Sequence, residues 1–261
     1  MDYQTIRHET DARGVATLTL ARPDKRNALS ARMIAELTQA AQALGADPAV
    51  RVVVLAAMGD SFCAGGDLGW MQEQIAADGP TRAAEARKLA MMLAALNNLP
   101  KPLIGRVQGQ AYGGGIGMMS VCDVAIGVPE ARFGLTETRL GLIPATIGPY
   151  VVARMGAAKA RRVFASARIF AADEAVQLNL LSRIVWPDDL DAAIEAEVLP
   201  YLSCAPGAVA EAKALIRILA PMPTPEHIEA SIAALVARWE SPEAKAGISA
   251  FFAKEKPGWA Q

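Results

Sequence analysis

An α/β fold with mainly parallel strands is what this 261-residue sequence predicts. Three observations carry that expectation. Strand-like and helix-like segments alternate as far as about residue 186. Two of the strand segments read as buried: VRVVVLAA (residues 50–57) is a continuous β-branched run, as a strand covered on both faces requires, and LPKPLIGRVQG (residues 99–109) is another buried strand, with Pro100 and Pro102 at its entry. Beyond WPDDL the alternation stops, and residues 189–203, 207–220, 225–239 and 241–254 read as helices with no strand between them.

The elements follow in order. GVATLTLARP (14–23) alternates apolar and polar residues like a half-buried strand, and proline ends it. Ser30 stands as an N-cap before ARMIAELTQAAQAL, whose apolar residues recur three and four apart. VRVVVLAA is the next strand, and GDSFCAGGDLGW (59–70) reads as a glycine-rich loop. TRAAEARKLAMMLAALNNL (81–99) reads as a long amphipathic helix. The strand at 99–109 leads into AYGGGIGMMSVCD (111–123), in which Gly113, Gly114, Gly115 and Gly117 open a buried helix. DVAIGV (123–128) reads as a strand, and ARFGLTETRLGLIPATIGP (131–149) as a turn-rich stretch. No repeat of fixed period and no low-complexity linker divides the chain.

Composition narrows the function. With 52% apolar residues the chain has ample material for a core. A formal net charge of −1 gives no general electrostatic case for nucleic acid or an anionic membrane. No apolar run reaches the length of a membrane span, and MDYQTIRHET does not read as a signal peptide, so a cytoplasmic protein is expected. Cys63, Cys122 and Cys204 are widely spaced and read as reduced thiols, with no disulfide framework or zinc site. The two histidines, His8 and His227, lie away from every motif, which argues against Ser-His-Asp chemistry and histidine metal sites. No metal site is expected.

Two glycine-rich turns each follow a strand, CAGGD (63–67) and YGGGIG (112–117). Glycine admits positive φ and lets a ligand reach the main chain, and a helix N-terminus offers unpaired N–H donors. Two such turns side by side aim two N–H groups at one oxygen, as an oxyanion hole does. Tight turning and close helix packing explain either turn taken alone. Neither spacing fits a dinucleotide or P-loop fingerprint.

Taken together, RPDKRNALS (22–30), SFCAGGDL (61–68), VQGQAYGGGIGMMSVCD (107–123), ARFGLTETRLGLIP (131–144) and AFFAKEKPGW (250–259) resemble the crotonase family, the enoyl-CoA hydratase/isomerase superfamily. The resemblance covers essentially the whole chain. It implies a spiral of ββα turns over residues 1–200, forming an acyl-CoA-binding core, and a helical C-terminal region, 201–261, that makes trimer contacts. A homotrimer or a hexamer built as a dimer of trimers is the implied assembly.

The same resemblance implies an acyl-CoA thioester substrate, with the peptide N–H groups of Gly66 and Gly114 as the oxyanion donors and Glu137 as the acid/base. It places Lys25 and Arg26 near the CoA phosphates, with Lys254 also in reach. Ala28 and Leu29 fall by the adenine, and Ala64, Asp67 and Leu68 at the pocket. Asp67 reads equally well as a carboxylate that caps nearby N–H groups. No cofactor is implied, coenzyme A being part of the substrate. Where many hydratases of the family carry a first glutamate, this chain has Gly117. Closest in motif are single-glutamate hydratases of the methylglutaconyl-CoA or isoprenoid-enoyl-CoA type, and Gly117 is expected to leave room there for a branched acyl group. Hydration of an enoyl-CoA, Δ3-Δ2-enoyl-CoA isomerisation by Glu137 alone and non-catalytic acyl-CoA binding all fit these residues. The apolar residues Leu135, Leu140, Leu142 and Ile143 are expected to raise the Glu137 pKa.

Overall fold

The chain opens on a hairpin whose second strand starts a parallel sheet. β1 (Ile6–Thr10) pairs antiparallel with β2 (Val15–Leu20). The alternation in β2 puts Leu18 and Leu20 in the core. Ser30 caps α1 (Ala31–Ala46) by accepting the Met33 N–H at 3.3 Å. This computed structural model describes residues 3–220 and 223–260.

Three strand–strand–helix units follow. The first is β3 (Val52–Ala57), β4 (Ser61–Cys63), then α2 (Leu68–Ala76) and α3 (Gly79–Asn97). The second is β5 (Leu103–Val107), β6 (Gln110–Tyr112) and α4 (Gly114–Val121). The third is β7 (Val124–Gly127), β8 (Arg132–Gly134), a 3-10 turn at Glu137–Leu140, then α5 (Gly148–Met155) and α6 (Ala157–Ala160). β9 (Ile169–Ala171), α7 (Ala172–Gln177) and β10 (Arg183–Ile184) complete the sheets. The first strand of each unit joins one sheet, ordered β1-β2-β3-β5-β7-β10, and the second joins the other, ordered β4-β6-β8-β9. Each pass of the chain thus adds one strand to both sheets, which is a spiral of ββα turns. Every pairing from β2 to β10 in the first sheet is parallel, and so are β4 with β6 and β6 with β8.

The expected α/β pattern and the continuous burial of VVVLAA hold: all six residues of β3 are buried. Two stretches read as loop carry short elements. Residues 59–70 contain β4 and the start of α2, and 131–149 contain β8, the 3-10 turn and the start of α5. Strands of three residues show no periodicity, so their pairing is fixed by neighbours in space.

The helical tail does not stand apart from the core. α8 (Leu190–Leu202) packs on β5 and β7, α10 (Pro225–Trp239) on α3, and α11 (Pro242–Ala253) on the Glu137–Leu140 turn. Ile232 packs with Ala86 and Ala90, while Trp239, Ala244 and Ile248 pack with Leu142. Among the described α-helices only α9 (Pro206–Leu219) has no buried residue, and it leaves Leu215, Ile216, Ile218 and Leu219 exposed. No helix among the described residues is long and apolar enough to cross a membrane.

Candidate active site

The order of the smaller sheet assembles the site. β4, β6 and β8 lie side by side and parallel, so the turns leaving their C-terminal ends emerge together. β4 delivers Gly66, β6 delivers Gly114 and β8 delivers Glu137. Gly65 (φ +92°) and Gly113 (φ +46°) hold conformations that L side chains rarely adopt, which is why the two turns are so rich in glycine.

Gly66 forms a single parallel bridge with Leu29. The Leu29 N–H donates to Gly65 O at 2.8 Å, and the Asp67 N–H donates to Leu29 O at 3.0 Å. Amides alternate in direction along an extended chain, so the Gly66 N–H points away from Leu29. Gly114 is the first residue of α4, where helical geometry leaves its N–H without an intrahelical acceptor. Both residues line one cavity of about 660 Å³. That volume suits a small-molecule site.

Glu137 enters the same cavity from the 3-10 turn. A Cβ placed on Gly113 would lie 2.9 Å from its Oε1, so the carboxylate abuts the second glycine turn. Its Oε2 is buried and has no hydrogen-bond partner. Burial pushes the Glu137 carboxyl up to about 7, against an ordinary 4.5. Leu140, Leu142 and Ile143 line the cavity as expected, whereas Leu135 is fully buried and does not line it. Arg139 sits at the cavity's exposed edge and does not pair with Glu137, which leaves the carboxylate free for chemistry. Glu137 is the one carboxylate among the described lining residues.

The other expected site residues divide. Ala64, Leu29 and Leu68 line the cavity, Leu68 at its half-exposed rim. Leu29 is only 1% exposed, which places it deeper than the adenine-side position the sequence suggested. Asp67 acts as a cap, accepting the Gly69 N–H at 2.9 Å and the Trp70 N–H at 3.3 Å, and it pairs with Arg22 at 2.9 Å. Burial opposes its ionisation, but these partners hold its carboxyl below the usual range. Ala28 is buried outside the cavity. Lys25, Arg26 and Lys254 are exposed and do not line it.

Gly117 corrects an expectation. It does not line the cavity and leaves no room for a branched group. A Cβ there would lie 2.6 Å from Cγ2 of Ile147 and 3.4 Å from Cδ1 of Leu93. Ile147 fills the space and presents its own side to the cavity.

Sequence reasoning also missed the wall made by the tail. Leu235 and Trp239 of α10 and Phe251 of α11 line the cavity. Residues beyond 201 therefore belong to the binding site as well as to any assembly surface. Their apolar spacing gave only a core signal, with nothing to say which core. Arg82 lies 5.9 Å from the Trp239 ring and donates to the Gln74 and Ile75 carbonyls at the end of α2. Cys63 and Cys122 are buried, with thiols pushed up to about 12 by desolvation, which makes them inert filler. His8 is exposed on β1, and His227 completes a capping box with Thr224.

Two outward amides and a buried, unpartnered carboxyl oxygen in one apolar cavity form an arrangement that can hold an oxyanion and exchange a proton beside it. The comparisons with known proteins agree with that class. The enoyl-CoA hydratase/isomerase family signature matches residues 10–261. A crotonyl-CoA hydratase of Syntrophomonas wolfei is 33% identical over 192 residues, covering 73% of this chain and 72% of that protein. The crystal structure of an enoyl-CoA hydratase from Mycobacterium avium superposes with a TM-score of 0.86 at 32% identity, over 100% of both chains. One from Shewanella pealeana gives 0.81 at 36% identity, over 98% of this chain and 96% of that one. The chain belongs to the enoyl-CoA hydratase/isomerase family, and its fold is that of the crotonases.

Proposed function

We propose that the protein is an enoyl-CoA hydratase that adds water across the 2,3 double bond of an acyl-CoA thioester. The observation that carries this reading is the buried, unpartnered Oε2 of Glu137 beside the Gly66 and Gly114 amides. The thioester oxygen sits between the two N–H groups. Ionised Glu137 takes a proton from water as the water oxygen bonds to C3, and the π electrons move onto the thioester as an enolate. The two amides hold that charge, each worth about 2.7–4 kcal/mol in such sites. Glu137 then returns the proton to C2, and the thioester carbonyl re-forms. Neither a metal nor a redox cofactor takes part in these steps.

Lys25 and Arg26 stand on the exposed 3-10 turn before Leu29, where they can meet the CoA phosphates, and Lys254 is a further candidate. The exposed apolar side of α9 suits subunit contacts in a homotrimer or hexamer. A second reading has its own observation. Ile147 occupies the space beside Gly117 where a second carboxylate would stand, so one group moves every proton. A single carboxylate suffices to carry a proton between C2 and C4, as a Δ3-Δ2-enoyl-CoA isomerase does.

The test is loss of conjugated enoyl-thioester absorbance with crotonyl-CoA and 3-methylglutaconyl-CoA, run beside Glu137→Gln. Loss with either substrate, abolished in the variant, supports hydration. Constant absorbance with both, together with gain of conjugation from a 3-enoyl-CoA, overturns it in favour of the isomerase.

A further inference from the structure

We infer that Leu29 is a positioning residue that sets the distance between the two oxyanion amides, and that the Arg22–Asp67 pair holds it in place. The inference rests on the oxyanion reading above and goes beyond it, because Leu29 itself supplies no catalytic group.

Leu29 touches both glycine turns in different ways. Its main chain is stitched to the first: its N–H donates to Gly65 O at 2.8 Å and its carbonyl accepts from the Asp67 N–H at 3.0 Å. These two bonds fix the peptides on either side of Gly66 and so aim the Gly66 N–H. Its side chain is wedged against the second turn. A methyl on Gly114 would lie 2.5 Å from Leu29 Cδ1, so that carbon already rests against the Gly114 main chain. One buried residue therefore spans from one donor to the other.

Arg22 fixes the wedge from outside. Its Nη1 donates to Ala28 O at 2.8 Å, one residue before Leu29, and its Nη2 donates to Asp67 Oδ2 at 2.9 Å, one residue after Gly66. The guanidinium fork thus clamps both strands of the Leu29–Gly66 bridge. The loop it holds is unfavourable in itself, since Arg26 and Asn27 both adopt left-handed backbone, at φ +48° and +54°. Asn27 offsets that cost: its Oδ1 accepts the Arg22 N–H at 2.9 Å, and its Nδ2 donates to Met58 O at 2.8 Å and Ser61 O at 2.9 Å. A conformation of this kind persists only where its surroundings over-determine it. Here they determine where two amides point.

Oxyanion donors act through position, and a misplacement of about 1 Å costs on the order of 100-fold. The test uses the full chain and 4-dimethylaminocinnamoyl-CoA, an aryl-conjugated enoyl-CoA whose absorbance moves to longer wavelength when its carbonyl is polarised. Wild type, Leu29→Ala, Leu29→Met and Arg22→Gln are compared for probe affinity, absorbance shift, and kcat and KM with crotonyl-CoA. Thermal unfolding shows that each variant is folded, and Arg22→Gln keeps the test open should Leu29→Ala not fold.

The expected result is that Leu29→Ala and Arg22→Gln lose most of the absorbance shift. Their kcat falls about 10- to 100-fold, with probe affinity and KM within about threefold of wild type. Leu29→Met, of similar volume and reach, restores the shift. Variants that keep the full shift and lose only affinity or stability overturn the proposal and leave the oxyanion reading intact. A wild-type protein that binds the probe without any shift overturns the oxyanion reading and this proposal with it.

Discussion

Glu137→Gln is expected to make the protein more stable at alkaline pH while abolishing its activity. Burial raises the carboxyl from an ordinary 4.5 to about 7, so the folded state prefers the neutral acid. A group raised in this way contributes stability that is complete below about pH 4.5 and is lost as pH rises through about 7. At about 1.36 kcal/mol per pH unit between those two values, the ionised carboxylate costs the folded state about 3 kcal/mol above pH 8. Glutamine has the same shape and never ionises, so it avoids that cost. The assay is chemical unfolding of both proteins between pH 4.5 and pH 9. The difference between them cancels every other titrating group. The two curves should coincide near pH 4.5 and separate by about 3 kcal/mol at pH 8.5, or roughly 6–12 °C in melting temperature for a chain of this size. The same titration sets the rate. Water activation needs the ionised form, so kcat/KM should rise with pH through about 7 and then level off. A Glu137→Gln variant with the pH response of wild type, or one less stable at pH 8.5, would refute the burial argument.

Other substitutions test the remaining geometry. Gly66→Ala should keep kcat/KM within about threefold of wild type, because its Cβ meets nothing closer than Met71 Cγ at 3.6 Å and the N–H is retained; Gly66→Pro, which removes the N–H, should lose about 100- to 1,000-fold in kcat. Gly117→Ala should destabilise the protein by about 1–3 kcal/mol through its 2.6 Å approach to Ile147 Cγ2, and should cost much less when made in an Ile147→Ala background, read by urea unfolding of both single variants and the double variant. Trp239→Ala should open the cavity toward α10 and raise relative kcat/KM for longer acyl groups, measured across a series of 2-enoyl-CoA chain lengths. An unchanged chain-length profile would remove Trp239 from the acyl wall.

The α/β pattern and the two glycine turns were legible in the sequence because their signals are local, whereas the spiral of ββα turns was implied only by the family resemblance, its three-residue strands having no period of their own. Continuous burial in Val52–Ala57 announces a doubly covered strand, and glycine at 65 and 113 announces backbone that nothing else adopts well. Glu137 was legible only through the company of its motif, since ETRL on its own reads as an exposed charged turn. What stayed hidden depends on contacts between distant segments. Ile147 lies 30 positions from Gly117, and no pattern in either stretch says that one fills the other's space. Trp239 and Phe251 look like ordinary core in amphipathic helices, and only the return of α10 onto α3 and of α11 onto the Glu137 turn brings them to the cavity. The pairing of Arg22 with Asp67, 45 residues apart, is hidden for the same reason.

The filled space beside Gly117 bears directly on how the chemistry runs. Two carboxylates facing a substrate divide the work, one taking a proton and the other giving it. Here the lining residues include one carboxylate, and an isoleucine packs where the missing one would have pointed. In the hydration we propose, Glu137 both removes and returns the proton, which confines both events to the face of the substrate it occupies and makes addition syn. It also explains why a carboxyl tuned to about 7 serves this site. A group that acts as base in one half of a turnover and acid in the other works best when neither form is strongly favoured at neutral pH. Burial supplies that balance without a second charged partner, and the unpaired Oε2 follows from it. An ion pair with Arg139 would have pulled the carboxyl back toward permanent ionisation and taken away its capacity to donate.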